Sequence, residues 1–471
     1  MEIDDYFSSL DTAQKPLKII FPTRQSIVIF LLVCIMSPCV LVGMHLEKNR
    51  PFSPIDEPPH YAYVDDLSQG QLPRVGEFFS TELLRTISCV GLQNPWGETI
   101  PNCQAQNLTP SQYPSGGGRL SEAVQPPLYY ASLVPFRWAI GPLLTTGDLL
   151  LMRSVNLLWL CGGLAILWCC GRLLGIDAKK IGGVILLVGA APIVIYYSSI
   201  VSNDASAIFA GSFISLIAIL YLQKRLPWRH ASLFAASFAV GMLKPVFLLP
   251  AIAVALVHFL VLLSRTVTQE RSNLIQGFRT LFKQWLPFGG ILVMGSLSSL
   301  TIWTIIEQHR ELVTLRYACA WMAPGTKAPF GTLIADPLTM WNPFSGSYSA
   351  LNIYAPGNSS YLLVATAATT VATTVFIASG FSGLFVRNRN LSHVVGLVSI
   401  VMLYVGGFAL DVFSYINCGV NIGAEGRYGL CLVPLLVLSM SSLIDSKWVV
   451  RFIWLLAITS VCFDGIVMTI A

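Results

Sequence analysis

Ser53-Pro54-Ile55-Asp56-Glu57-Pro58-Pro59-His60-Tyr61-Ala62-Tyr63 is the stretch that decides how this chain is read. It follows Ser26 to His45, an apolar run long enough to cross a bilayer as a helix. Two adjacent carboxylates and a histidine therefore stand where the chain has just left lipid. Pro54 and the Pro58-Pro59 pair forbid continuing that helix, because proline fixes φ and lacks the N–H donor. From Pro59 the pattern His60, Tyr61, Tyr63, Val64, Leu67 predicts a short amphipathic helix that stops at Gly70 and Pro73. Asp56 and Glu57 are then held on a proline-stiffened elbow at the mouth of the membrane. The plainer alternative is an acidic, solvated loop.

The rest of the composition agrees with a membrane setting. Of 471 residues, 54% are hydrophobic and only 11% charged, against roughly a quarter charged in ordinary soluble domains. A polar tail precedes the first apolar run with no small-residue cleavage site, so a retained helix is expected rather than a removed signal. The net charge of +5 sits at helix ends and gives no footprint for nucleic acid. Of eleven cysteines, Cys34, Cys161, Cys169, Cys170 and Cys462 fall inside apolar runs, and no paired CxxC spacing occurs. Cys89 and Cys103 lie in the long polar loop and are expected to pair if that loop faces an oxidising compartment.

Residues 1–25 read as a cytoplasmic tail with Lys15, Lys18 and Arg24, and 26–45 as the first span. Residues 46 to about 127 form the largest polar segment, with nine acidic and five basic residues. Loops kept inside are rich in Lys and Arg, which places the tail inside and this loop outside. Within it, Ser80 to Val90 reads as a short helix and Ser115 to Gly118 as a hinge. Leu128 to Leu144 is short for a span and interrupted by Pro135, Arg137 and Pro142. If it lies along the outer surface, every later basic cluster falls inside: Arg172/Lys179/Lys180, Lys224/Arg225/Arg229, Arg265 to Lys283, Arg387/Arg389 and Lys447/Arg451.

The outer loop with its elbow and surface-lying helices thus extends over 46–152. Spans are expected at 153–171, 181–200, 204–222, 230–248, 249–264 and 286–306, forming a bundle over 153–306. A second outer loop covers 307–359, and a C-terminal bundle over 360–471 holds spans at 360–384, 393–413, 428–445 and 448–470. The fold class is an all-α integral membrane protein with about eleven transmembrane helices. Arg172 is expected inside with Lys15, and Asn107 and Asn358 outside. Any chemistry must then be done at the outer face.

Polar groups at the ends of apolar helices are costly and few. Ser202-Asn203-Asp204 is either a helix N-cap or part of a site. Lys244, deep in an apolar run, is either a snorkelling lysine or an anion contact. Glu425-Gly426-Arg427-Tyr428 is either a local ion pair and cap or a substrate grip. Trp341, Tyr348 and Tyr354 suit sugar stacking or an interfacial belt. The orientation uses none of these residues, yet Asp56, Glu57, His60, Asn203, Asp204, Lys244, Glu425 and Arg427 all fall at one face. Carboxylates with cations suit activation of a nucleophile while a phosphate leaving group is neutralised. His60 beside two carboxylates is a weak metal pattern. No metal ligands are assigned, and a divalent cation stays open as a cofactor.

Asp56-Glu57-Pro-Pro-His60-Tyr61-Ala-Tyr63 with Gly70-Gln71-Leu72-Pro73, then Gln125-Pro126-Pro127-Leu128-Tyr129-Tyr130, Ser202-Asn203-Asp204-Ala205 and Glu425-Gly426-Arg427-Tyr428, resembles a group of bacterial multipass proteins of uncharacterised function. That group is similar to the GT-C membrane glycosyltransferases, which use lipid-phosphate-linked sugars. The resemblance spans most of the chain in order and implies a GT-C-like fold. It also implies that the acidic residue after the first helix, Asp56 or Glu57, is catalytic, with Lys244 and Arg427 as candidate cations beside the lipid carrier. The soluble domain that many GT-C enzymes append has no counterpart in this sequence.

The expectation is a multipass glycosyltransferase of the inner (plasma) membrane, with Asp56 as general base and Glu57 and His60 shaping it or holding a cation. Asn203, Asp204, Lys244, Glu425, Arg427 and Tyr428 would bind substrate. Its partners would be a polyprenyl-phosphate-linked sugar and a saccharide or protein acceptor. The alternatives are a transporter or flippase of lipid-linked saccharides and a non-catalytic subunit of an envelope assembly complex.

Overall fold

The computed structural model describes residues 23–93, 99–113, 117–143, 148–269, 274–313, 330–344, 359–385, 390–418 and 423–470. Most of the tail with Lys15 and Lys18, much of the second outer loop with Tyr348, Tyr354 and Asn358, and Arg387/Arg389 lie outside the described residues. Helices dominate, and among the described residues the only β pairing is two isolated bridges, Phe52 with Leu92 and Phe78 with Arg119. This is an all-α membrane protein. Eight helices are long and apolar enough to cross a membrane, by length and composition.

Those eight are Arg24–Lys48, Asp148–Leu173, Asn203–Leu222, Pro245–Val267, Ile275–Gln308, Leu391–Ile416, Gly426–Leu443 and Lys447–Ile466. The run expected at 181–200 is instead two helices, Ala178–Gly189 and Pro192–Ser198, bent by 66° where Pro192 cannot continue the ladder. Counted as one span it makes nine. The run expected at 230–248 becomes a 13-residue helix, Arg229–Gly241, followed by a 3-10 turn at Pro245–Leu248. The run expected at 360–384 lies in the helix Ser359–Phe385. The basic stretch Arg265 to Lys283 is helical at Leu274–Trp285, and a π turn at Leu286–Gly290 joins it to Ile291–Gln308.

Contacts between helix ends give the bundle two distinct poles. At one, Glu57 meets Arg153, Asp204 meets Lys244, and Leu312 N–H donates to Val75 C=O. At the other, Lys180 meets Asp445, Trp454 Nε1 donates to Lys179 C=O, and Gln223 Nε2 donates to Leu173 C=O. The helix Leu128–Ile140 does not run between the poles. Its first N–H donates to Met242 C=O, two residues before Lys244, while Arg137 near its end binds Asp148 at 3.0 Å and Asp65 at 2.5 Å. Both ends are therefore tied to the first pole.

The polar loop is ordered by local signals. Glu57–Ser68 is a helix with both prolines in its first turn, where the missing N–H groups have no intrahelical partner to lose. It stops before Gly70, which adopts φ of 76°. Ser80 caps Thr81–Val90, its hydroxyl accepting from Leu83 N–H. Cys89 and Cys103 form the expected disulfide.

Candidate active site

Asp56 caps the elbow helix in a left-handed conformation, φ 57° and ψ 1°, which aspartate tolerates better than most residues. That turn sends the two neighbouring carboxylates in opposite directions. Glu57 points into the bundle and is fully buried. Arg153 grips it bidentately, Nε on Oε1 at 2.7 Å and Nη2 on Oε2 at 2.6 Å. Ser53 N–H and Val201 N–H donate to it as well, at 2.6 and 2.8 Å. With its lone pairs occupied, Glu57 fixes the elbow and has no oxygen free for a substrate or cation. Arg153 also donates to the carbonyls of Asn49, Arg50 and Pro51 as the first span ends.

Asp56 faces the other way, toward Arg427 at 3.3 Å. Arg427 comes from the 3-10 turn Gly426–Leu432 that opens the Gly426–Leu443 span. It reaches Glu425 at 3.0 Å and Asp204 at 3.5 Å, and donates to Tyr197 Oη at 2.6 Å. Gly211 permits this approach, since a Cβ there would collide with the Cys431 carbonyl. Lys244 Nζ lies 2.5 Å from Asp204 Oδ1 and 4.8 Å from the Tyr428 ring centroid. Lys244 is thus neither a snorkelling lysine nor a free anion contact, but half of a buried ion pair.

The motif Ser202-Asn203-Asp204 divides its labour. Ser202 does the capping, its hydroxyl accepting from Asp204 N–H at 3.3 Å. The Asp204 side chain is thereby left for the two cations. Asn203 Nδ2 donates to Gln125 Oε1 at 3.3 Å, while its Oδ1 is buried without a hydrogen-bond partner among the described residues. Tyr129 supports the segment, its hydroxyl accepting from Ser202 N–H and donating to Asn156 Oδ1.

His60 sits behind this cluster. Its Nδ1 lies 2.7 Å from Tyr130 Oη and its Nε2 3.7 Å from Glu122. Burial, then the charges of Lys244 and Arg427, hold the imidazole well below its usual pKa, so it is neutral. Glu122 is pushed up to about 8, first by burial and then by the Asp56 charge. Among the described residues, no three His, Cys, Asp or Glu side chains are grouped to hold a metal ion.

The structure therefore gathers Asp56, Asp204, Lys244, Glu425, Arg427 and Tyr428 in one cluster, places Asn203 at its edge, and turns the side chains of Glu57 and His60 away from it. Trp341 packs edge-on against Phe381 and donates to Ile400 C=O, a helix-packing role rather than an open stacking surface. Sequence reasoning missed Arg153, Tyr197 and Glu122. Arg153 carried a signal, a charge inside the apolar helix Asp148–Leu173. Two carboxylates of the cluster remain open, Asp56 with 45% of its side chain exposed and Glu425 with 40%, whereas Asp204 keeps 2%. Compared with protein-family models, curated proteins and solved structures, the chain matches none.

Proposed function

We propose that the chain is a GT-C-like membrane glycosyltransferase of the inner (plasma) membrane. It would move a sugar from a polyprenyl-phosphate donor to a saccharide or protein acceptor at the outer face. The observation that carries this reading is Arg427 bridging Asp56 and Asp204, which brings an open carboxylate beside two buried cations. The basic clusters Arg172/Lys179/Lys180 and Lys224/Arg225/Arg229 belong to the opposite pole, which supports an outer position for Asp56. The contact of Asp204 with Lys244 supports a further crossing by Arg229–Gly241, since it returns the chain to the level where Asn203–Leu222 began, in keeping with the eleven crossings we propose.

In the reaction, the acceptor hydroxyl attacks the anomeric carbon and its proton passes to Asp56. The bond from that carbon to the phosphate oxygen breaks, and polyprenyl phosphate leaves with the electron pair. Lys244 and Arg427 meet the charge of the phosphate. Both already face carboxylates, so the donor must displace some of them. Glu425 and Asp56 are exposed enough to turn aside, and Asp204 stays to fix the cations. Asp56 released from Arg427 is then free to take the proton.

A flippase of lipid-linked saccharides is the second reading. The run broken at Ala190–Ala191 favours it, because discontinuous helices build many transporter sites. Among the described residues there is one such broken pair and no matching second. A non-catalytic envelope subunit would tolerate alanine at Asp56. The deciding experiment is transfer of labelled sugar from a polyprenyl-phosphate donor by the purified protein, wild type against Asp56→Asn. Wild-type transfer abolished by the substitution supports the enzyme, and equal rates in both would remove Asp56 from catalysis.

A further inference from the structure

The pole remote from Asp56 encloses a cavity of about 430 Å³, within the range of small-molecule sites. Its buried walls are apolar, with Ala218 from Asn203–Leu222, Val257 and Val261 from Pro245–Val267, and Leu435 and Leu438 from Gly426–Leu443. The rim is polar and accessible at Asp177, Lys180 and Asn390. Two polar atoms on the lining have no hydrogen-bond partner among the described residues. They are Oγ of Ser441, a fully buried residue, and Nδ1 of His258. A buried hydroxyl left unpaired costs free energy, which a ligand oxygen would recover.

The charge of this pole has one dominant sign, and Lys180 brings it to the rim beside Asp177. Arg172, Lys179, Lys180, Lys224, Arg225 and Arg229 come from the two connections at this pole, against Asp177 and Asp445. A free polar solute would waste the apolar walls, and a neutral chain would waste the cations and the unpaired Ser441. We infer that the cavity takes one acyl chain of an anionic phospholipid of the inner leaflet, with the headgroup at Lys180 and the basic connections beyond the rim. Ser441 and His258 would hydrogen-bond the glycerol ester oxygens. The headgroup would meet Lys180, which at present lies 3.4 Å from the exposed Asp445. The cytoplasmic leaflet is where such lipids concentrate and where basic clusters face them.

The test is native mass spectrometry of the full chain, delipidated in detergent and titrated with dioleoyl phosphatidylglycerol or dioleoyl phosphatidylcholine. One phosphatidylglycerol should be retained in preference to phosphatidylcholine. Ala218→Phe fills the cavity and should lose that retention. Lys180→Gln, at the rim, should weaken phosphatidylglycerol about fivefold and leave phosphatidylcholine unchanged. Equal retention of the two lipids by the wild type, or unchanged retention by folded Ala218→Phe, would overturn the inference. If Ala218→Phe does not fold, Lys180→Gln decides alone, and an unaltered lipid preference in that variant would overturn it equally.

Discussion

Arg153 and Glu57, 96 residues apart in the chain, meet as a bidentate pair, with both contacts at 2.6–2.7 Å and both side chains almost wholly buried. The pair ties the elbow to the second span and leaves Asp56, one residue away, as the carboxylate that faces Arg427. Its importance follows from what each partner would be alone. Removing Arg153 leaves a buried carboxylate and three backbone carbonyls without their donor. Arg153→Met should therefore destabilise the protein by about 3–5 kcal/mol. The check is thermal unfolding in detergent, and an unchanged midpoint would refute the assignment of Glu57 as the anchor. Arg153→Lys keeps the charge but not the fork, and should fall between the two.

Much of this site was legible before the structure. The stops at Gly70 and Pro73, the cap at Ser80 and the pairing of Cys89 with Cys103 are local signals, fixed by backbone propensity and short spacing. The shared pole of Asp56, Asp204, Lys244 and Arg427 follows from counting crossings against basic clusters. What sequence could not separate was Asp56 from Glu57. Their fates depend on one left-handed residue and on an arginine 96 residues along the chain, and neither leaves a periodic trace. Glu122 was hidden for the same reason, since it is one of nine acidic residues in its loop and only tertiary packing buries it.

The Cys89–Cys103 bridge closes a short loop, with a sequence separation of 14. Constraining the unfolded chain over that length contributes about 3 kcal/mol. Cys89→Ser should lower the unfolding midpoint accordingly. Mass spectrometry of protein prepared without reductant should find the wild-type pair oxidised. A cysteine placed at exposed Asn107, in the same loop, should label from outside the cell, and cytoplasmic labelling would invert the orientation.

Glu122 gives a pH dependence with a definite sign. Its folded pKa of about 8 lies above the ordinary 4.5. The folded state therefore holds a proton that the unfolded chain gives up between those values. The stability this contributes is complete below pH 4.5 and is lost as pH rises toward 8. The groups that face it are His60, Asp56, Asp204, Lys244 and Arg427. Asp66, raised to about 7 by burial and the charges of Glu77 and Asp65, acts in the same direction. The difference between wild type and Glu122→Gln is thus the quantity to read. Unfolding midpoints across this range should fall more steeply in the wild type, and parallel curves would mean that Glu122 is ionised in the folded protein.

Asp56 and Arg427 lie 3.3 Å apart, yet the proposed reaction gives them different work. A base acts only as the acceptor proton moves, and Asp56 competes with the donor phosphate for Arg427, so Asp56→Asn should leave donor binding no weaker. The loss should appear in turnover, at about 10²- to 10⁴-fold. Arg427 meets a phosphate charge already present in the bound donor, so Arg427→Gln should weaken donor binding as well as slow the reaction. The same substitution also releases Asp56 and Glu425 from their cation. Donor affinity should therefore be compared at low and high salt, where the wild type loses affinity through screening and the variant loses less. Donor affinity and single-turnover rate would be measured for both variants at each ionic strength. Equal loss of affinity in the two, with turnover per bound donor unchanged, would make Asp56 a binding residue and leave the flippase as the better reading.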